Sequence, residues 1–278
     1  MKERILARNY PTLDQDGVTE KTFFPAPLDG AAPAGATDLK LAGDGCDIGI
    51  RLYLPEGDEG ANLLLFHGAR DTCADCDHIG TGLAAVGCAV IAVDYRGYGS
   101  STGHPSATSI IRDAQAILPE AISLLREKGR KGHLAVMGRS LGSACAIELA
   151  AFHPEEIKGL VIESGLARTL TLLAALGVDH EGLGIREEDG FANLEKLRGI
   201  TRPTLIIHGF ADQIIPVAEA ETMQAECAAR AKELQMVPGA GHREIEEKTG
   251  RMYFEVLGRF FNKLGATTTR KRRPGVRG

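Results

Sequence analysis

A serine between two glycines is the first feature of this 278-residue chain that points to a chemistry. Gly138-Arg139-Ser140-Leu141-Gly142 has the pattern G-x-S-x-G. An apolar run at residues 134–137 precedes the pattern, and a helical pattern follows it at residues 144–152. A serine at such a strand–turn–helix junction is exposed on a sharp turn that requires small neighbours. The pattern predicts that Ser140 is a nucleophile, and an inert serine in a glycine-rich turn is the alternative.

A serine hydroxyl attacks poorly until a base removes its proton, and His242 is the best candidate for that base. It ends a glycine-rich loop between the last predicted strand and the last predicted helix. A base of this kind needs a carboxylate that orients it. Asp212, which follows an earlier apolar run, is the predicted carboxylate, and Asp189 and Glu163 are the alternatives.

A tetrahedral intermediate at Ser140 needs two backbone amides that stabilise its negative oxygen. Leu141, the residue after the serine, supplies one of them in the predicted turn. The second is expected from the loop after the apolar run at residues 62–66, where Ala69 is favoured and Arg70 is the alternative. Arg70 and Arg139 either add positive charge near the site, or they face solvent or form structural ion pairs.

The elements that must position these residues alternate between strands and helices. Alternation predicts a half-buried strand at residues 48–54, and short apolar runs predict buried strands at residues 61–66, 88–93, 133–137, 159–162 and 204–207. Apolar residues at helical spacing predict helices at residues 75–86, 109–128, 141–152, 217–230 and 244–264. This alternation predicts an α/β fold with a mostly parallel central sheet flanked by helices. Ligands of such sheets bind beyond the carboxyl ends of the strands, where the candidate residues lie.

Three segments depart from this alternation. Residues 1–35 contain four prolines and predict an irregular N-terminal arm before a main domain at residues 36–264. An insertion at about residues 165–199 predicts a small cap above Ser140, whose leucines either face the pocket or pack onto the sheet. Residues 265–278 are basic, and we expect a disordered, solvated tail there.

Composition and charge exclude several classes of function. The net charge of −5 is a poor electrostatic match for nucleic acid, so no nucleic-acid partner is expected. No apolar run approaches the length of a transmembrane helix, so no stable membrane span is expected. Six cysteines are sparse and indicate a cytoplasmic protein with reduced thiols. Cys73 and Cys76 lie near His78 and could bind a metal or form a disulfide, but one pair supplies only part of a zinc site.

Six segments carry a resemblance to a known family, at residues 65–68, 94–103, 137–143, 191–197, 208–216 and 239–242. They resemble the α/β-hydrolase fold superfamily and, within it, the BEM46-like group of serine hydrolases. The resemblance covers roughly residues 40–264. It implies an α/β-hydrolase fold and a triad of Ser140, Asp212 and His242. It also implies chemistry that needs neither a metal nor another cofactor.

The predicted function is therefore hydrolysis of a carboxylic ester, thioester or amide through an acyl-serine intermediate. The expected partner is a small-molecule acyl substrate. A binding or scaffold protein that keeps the fold without the chemistry is one alternative, because a fold does not imply an activity. An acyltransferase that uses the same residues is the other.

Overall fold

An eight-stranded sheet forms the centre of the computed structural model, which describes residues 9–266. The strands are β1 (Ala36–Ala42), β2 (Asp47–Tyr53), β3 (Asn62–Phe66), β4 (Ala89–Val93), β5 (Leu134–Arg139), β6 (Ile157–Glu163), β7 (Thr204–Gly209) and β8 (Lys232–Val237). Their order in the sheet is β1-β2-β4-β3-β5-β6-β7-β8. β2 runs antiparallel to both of its neighbours, whereas the pairs from β4 to β8 are parallel. The predicted mostly parallel sheet is confirmed.

Helices cover both faces of this sheet. They are α1 (Asp16–Thr22), α2 (Asp77–Ala85), α3 (Ala107–Glu127), α4 (Gly142–Phe152), α5 (Thr169–Ala175), α6 (Asn193–Leu197), α7 (Val217–Glu226), α8 (Ile245–Thr249) and α9 (Arg251–Ala266). Alternate residues of a strand point to opposite faces. Leu63 and Leu65 accordingly share an apolar cluster with α2 and α9, and Leu64 and Phe66 share one with α3 and α4. A strand that is apolar at every position thus contributes side chains to the apolar clusters on both faces of the sheet.

Several boundaries differ from the prediction. The segment at residues 1–35, predicted to be irregular, contains α1. The helix predicted at residues 244–264 is divided into α8 and α9 because Gly250 adopts a φ of 52° between them, a conformation that favours glycine. The helix predicted at residues 217–230 ends earlier, at Glu226, where the chain becomes extended. Most residues of β8 are half-exposed because β8 is an edge strand of the sheet.

The C-terminal end of the chain is described only in part. The predicted basic tail at residues 265–278 lies outside the described residues, except that its first two complete α9. Within residues 9–266, no helix combines the length and the apolar character that crossing a bilayer requires.

Two carboxylates fix the chain between β6 and β7, which we call the β6–β7 segment (residues 164–203). Glu219 of α7 is buried and accepts hydrogen bonds from the amides of Ala167 and Arg168 at 2.9 and 2.8 Å. It also accepts one from the Arg168 guanidinium at 2.6 Å. Glu187 accepts bonds from the first two amides of α5, which a helix leaves without internal partners. The β6–β7 segment is therefore anchored to α7 and internally braced.

Replacing Glu219 by glutamine should lower the free energy of unfolding by about 1–3 kcal/mol, because buried donors lose their charged acceptor. Urea unfolding at neutral pH measures this change. Glu221→Gln, at an exposed position of the same helix, is the matched control and should change stability by less than about 0.5 kcal/mol. Equal losses in the two variants would show that Glu219 does not anchor the segment.

Candidate active site

The turn that carries Ser140 explains the two glycines around it. Ser140 directly follows β5 and has a φ of 51°, which is uncommon for a residue other than glycine. A Cβ atom on Gly138 would lie 2.3 Å from the carbonyl oxygen of Gly142. A Cβ atom on Gly142 would lie 2.3 Å from the carbonyl oxygen of Phe66. Only glycine fits at these two positions, so the two glycines of the G-x-S-x-G pattern are sterically required by the turn.

Ser140, His242 and Asp212 form one chain of hydrogen bonds. The Oγ atom of Ser140 lies 2.8 Å from Nε2 of His242, and Nδ1 of His242 lies 2.7 Å from Oδ2 of Asp212. An ionised carboxylate can only accept a hydrogen bond, so Nδ1 carries the proton and Nε2 accepts from Ser140. The three residues follow β5, β8 and β7, whose carboxyl ends lie at one edge of the sheet.

Asp212 is held in its ionised form by the groups around it. Its side chain is fully buried, and burial alone would raise the pKa of its carboxyl group. Hydrogen bonds from His208 and His242 outweigh this effect and hold the pKa well below its usual range. The amides of Ile214 and Ile215 also donate to Oδ1, each at 2.9 Å. Asp212 therefore presents a negative charge to His242 across the neutral pH range.

The loop after β3 brings Ala69 to the same pocket as Ser140. The carbonyl oxygen of Gly68 accepts hydrogen bonds from Nδ1 of His67 at 2.7 Å and from the amide of Asp71 at 3.2 Å. In a planar trans peptide the N–H points away from the C=O. The two bonds to the Gly68 carbonyl therefore also fix the direction of the Ala69 N–H.

Leu141 places its amide beside the serine, at the start of α4. Within the described part of the chain, no hydrogen bond occupies the amide of Leu141 or that of Ala69. Both N–H groups are therefore available to an oxygen atom bound at Ser140.

The two other carboxylates considered from the sequence are engaged elsewhere. Glu163 accepts a hydrogen bond from Arg139 at 2.8 Å and another from the hydroxyl of Tyr253. Asp189 accepts from the amide of Arg186 in a short turn of the β6–β7 segment. Arg139 thus forms the structural ion pair that was one of its two expected roles.

A small pocket of about 80 Å³ opens at Ser140 and His242. Leu172 and Leu176 of the β6–β7 segment and Ile214 give it apolar walls. Other leucines of that segment, such as Leu166 and Leu173, are buried in the core below. Some leucines of the predicted cap therefore line the pocket and others pack into the core, and Leu172 does both.

Cys73 and Cys76 are free, buried thiols in the 3₁₀ turn that precedes α2. Burial raises the pKa of Cys73 and raises that of Cys76 to about 12, so neither is a thiolate at neutral pH. His78, which was considered with them as a metal ligand, pairs with Glu246. Within residues 9–266, no group of three or more histidine, cysteine, aspartate or glutamate side chains is arranged to hold a metal ion.

Three residues of the site were not predicted from the sequence to belong to it. His208 lies with Nε2 3.3 Å from Asp212, and only their spacing of four residues after an apolar strand hints at the contact. The hydroxyl of Ser164 donates to the carbonyl oxygen of His242 at 3.0 Å, and Phe24 lines the pocket from the N-terminal segment. No local pattern marks either residue, because their partners are distant in sequence.

Comparison with known proteins places this fold in a family. The family model described as serine aminopeptidase, S33, matches residues 57–177. An uncharacterized protein of Mycobacterium tuberculosis is 31% identical over 251 residues, which cover 87% of this chain and 86% of that protein. Alpha/beta hydrolase domain-containing protein 17B of Xenopus laevis is 31% identical over 186 residues, 66% of this chain and 61% of that protein. The chain belongs to the α/β-hydrolase superfamily.

A solved structure supports the same fold for this α/β hydrolase. An esterase of Pyrococcus furiosus superposes with a TM-score of 0.70 at 19% identity, over 86% of this chain and 98% of that one. At this level of identity the likeness concerns the fold. The α/β-hydrolase fold implied by the sequence resemblance is confirmed.

Acid unfolding should reveal the ionised state of Asp212. The pKa of Asp212 is lower in the folded than in the unfolded state, where it is about 3.9. The ionised carboxyl therefore stabilises the folded protein at pH values above about 3.9. This stability is lost as the pH falls toward the folded pKa. Between about pH 4 and pH 2.5, the wild type should therefore lose about 1 kcal/mol per pH unit more than Asp212→Asn, because the difference approaches one full proton as the pH falls. Urea unfolding across this pH range measures the difference. A parallel decline of the two proteins would contradict it, and Asp29→Asn, at an exposed position, should follow the wild type.

Proposed function

We propose that this protein is a serine hydrolase that cleaves a carboxylic ester or thioester through an acyl-serine intermediate. The observation that carries the proposal is the continuous hydrogen-bonded chain of Ser140, His242 and Asp212, in which Ser140 and His242 line a pocket. Ser140 is the nucleophile, His242 the general base and acid, and Asp212 the orienting carboxylate.

The reaction begins when Nε2 of His242 takes the hydroxyl proton of Ser140 as Oγ attacks the substrate carbonyl. The resulting oxyanion accepts hydrogen bonds from the amides of Ala69 and Leu141. Collapse of this intermediate breaks the bond to the leaving group, which receives the proton from His242. A water molecule then gives its proton to His242 and attacks the acyl-serine, releasing the acid and restoring the Ser140 hydroxyl.

The charges of the pocket favour an ester or thioester over the amino-terminal peptide that an aminopeptidase cleaves. Such a peptide carries an ammonium group, which a buried or half-buried site holds with a free carboxylate. Asp71 and Glu163 are the carboxylates that line the pocket, and each is paired with an arginine, Arg243 and Arg139 respectively. Each carboxylate is already paired with an arginine, so neither is free to bind an ammonium group. Among the amide substrates predicted as a third possibility, an amino-terminal peptide therefore ranks below an ester or thioester.

The apolar wall indicates what the acyl group looks like. Leu172, Leu176 and Ile214 offer contacts to a hydrocarbon chain but no hydrogen bonds. Binding energy from such a chain helps to position the carbonyl at Ser140. We therefore propose a small-to-medium acyl group, with the β6–β7 segment acting as a cap that sets its length. The cytoplasmic location expected from the sparse cysteines stays a prediction.

The two alternative functions make different demands on Ser140. A scaffold protein has no use for a reactive serine, whereas an acyltransferase needs the same acyl-serine and a different acceptor. Product analysis with and without an added alcohol separates hydrolysis from transfer. The unoccupied amides of Ala69 and Leu141 beside the serine favour a catalytic site over a scaffold.

Ser140→Ala should abolish hydrolysis of p-nitrophenyl butyrate, with a loss in kcat on the order of a millionfold. A fluorescent fluorophosphonate should label the wild type and not this variant. Ser123→Ala, at an exposed position of α3, is the matched control and should retain both properties. Undiminished turnover in pure Ser140→Ala protein would rule out the proposed mechanism.

A further inference from the structure

The N-terminal arm, here residues 9–35, lies against the elements that build the active site. The amide of Gly99 donates to the carbonyl oxygen of Ala26 at 2.8 Å, and Pro27 forms a β-bridge with Gly99. Near the start of the arm, the amide of Tyr10 donates to the hydroxyl of Thr108 at 2.7 Å. These bonds tie the arm to the loop after β4 and to the first turn of α3.

The arm also contacts the β6–β7 segment. Nζ of Lys21 donates to the carbonyl oxygen of Gly177 at 2.6 Å. The rings of Tyr10 and Phe191 lie 5.4 Å apart, and both residues are buried. The arm therefore bridges the proposed cap and the body of the fold.

Phe24 carries the arm into the active-site pocket. Its half-buried ring lines the pocket. Leu172, Leu176 and Ile214 supply the other apolar walls of this pocket. The guanidinium of Arg70, which also lines the pocket, lies 3.6 Å from the centre of the Phe24 ring, and this cation–π contact holds the ring in place. Phe24 is thus a preformed wall on which an acyl chain can pack.

Tyr98 connects the arm to the loop that holds the Ala69 amide. Its buried hydroxyl donates to the carbonyl oxygen of Ala69 at 2.7 Å and accepts a hydrogen bond from the amide of Phe24, also at 2.7 Å. A hydroxyl that accepts one hydrogen bond becomes a stronger donor in the next. The arm amide therefore strengthens the bond that holds the backbone of Ala69 in place.

From these contacts we infer that the N-terminal arm completes the active site. Phe24 is a specificity-determining residue for the acyl group. Tyr98 is a positioning residue that holds the Ala69–Arg70 peptide and so couples the arm to the loop that carries the Ala69 amide. This inference rests on the proposed hydrolase function and extends it to a segment outside the predicted main domain.

The specificity role is tested with p-nitrophenyl esters of increasing acyl length, from acetate to decanoate. Phe24→Ala should lower the ratio of kcat/KM for the longer esters to kcat/KM for the acetate. This ratio should fall by about fourfold for each methylene that packs on the ring. Phe254→Ala, a half-buried phenylalanine of α9 on the other side of the sheet, is the matched control and should keep the wild-type ranking. An unchanged ranking in Phe24→Ala, or a common factor at every length, overturns the role of Phe24.

The positioning role is tested on the acetate ester in the pre-steady state. Tyr98→Phe removes one hydroxyl and should lower the acylation rate constant about 3- to 10-fold, with the half-saturating ester concentration unchanged. Tyr53→Phe removes a buried hydroxyl that binds Cys73 and Asp77 away from the pocket. It should show a similar shift in thermal midpoint and the wild-type acylation rate. Equal acylation rates in Tyr98→Phe and Tyr53→Phe overturn the role of Tyr98.

The outcome also separates this inference from the function on which it rests. A wild-type protein that cleaves none of the esters and whose Ser140 resists fluorophosphonate overturns the proposed function and the inference together. A wild type that is active, with both arm variants behaving like their controls, overturns the inference alone.

Discussion

The hydrogen bond between Asp212 and His242 is the contact on which the rest of the candidate site depends. It joins the loop after β7 to the loop after β8 and turns the imidazole toward Ser140. Burial would favour a protonated Asp212, but four hydrogen bonds from His242, His208 and two amides keep it ionised. An ionised and oriented carboxylate stabilises the imidazolium that forms when the serine loses its proton. The negative charge of the buried Asp212 carboxylate therefore determines whether His242 can take a proton from Ser140.

Rigid backbone around this contact gives the site its geometry. Ser140 and Ser164 both hold a positive φ, which costs of order 1–3 kcal/mol for each residue and persists only where the surroundings enforce it. The hydroxyl groups of Tyr95 and Tyr98 hold the carbonyl oxygens of His67 and Ala69 at 2.6 and 2.7 Å. The packing of the core thus compensates for local strain, and the polar groups face the pocket before any substrate arrives.

Much of the fold is predictable from the sequence because buried parallel strands read as short apolar runs. The candidate triad is predictable for a related reason, since its members follow strands whose carboxyl ends meet at one edge. Phe24, Ser164 and Tyr98 act through partners far away in sequence, and no local pattern signals such contacts. The break at Gly250 is missed because the apolar spacing of α8 and α9 continues across it, whereas only the backbone conformation marks the boundary.

The acyl-serine intermediate is the central claim, and mapping the acylated residue tests it most directly. The protein is mixed with p-nitrophenyl acetate, quenched in acid within the first turnover, digested and analysed by mass spectrometry. We expect one acetyl group per chain, on the peptide that contains Ser140, formed together with a stoichiometric burst of p-nitrophenol. Steady hydrolysis without an adduct, or with the acetyl group on another residue, would contradict the account.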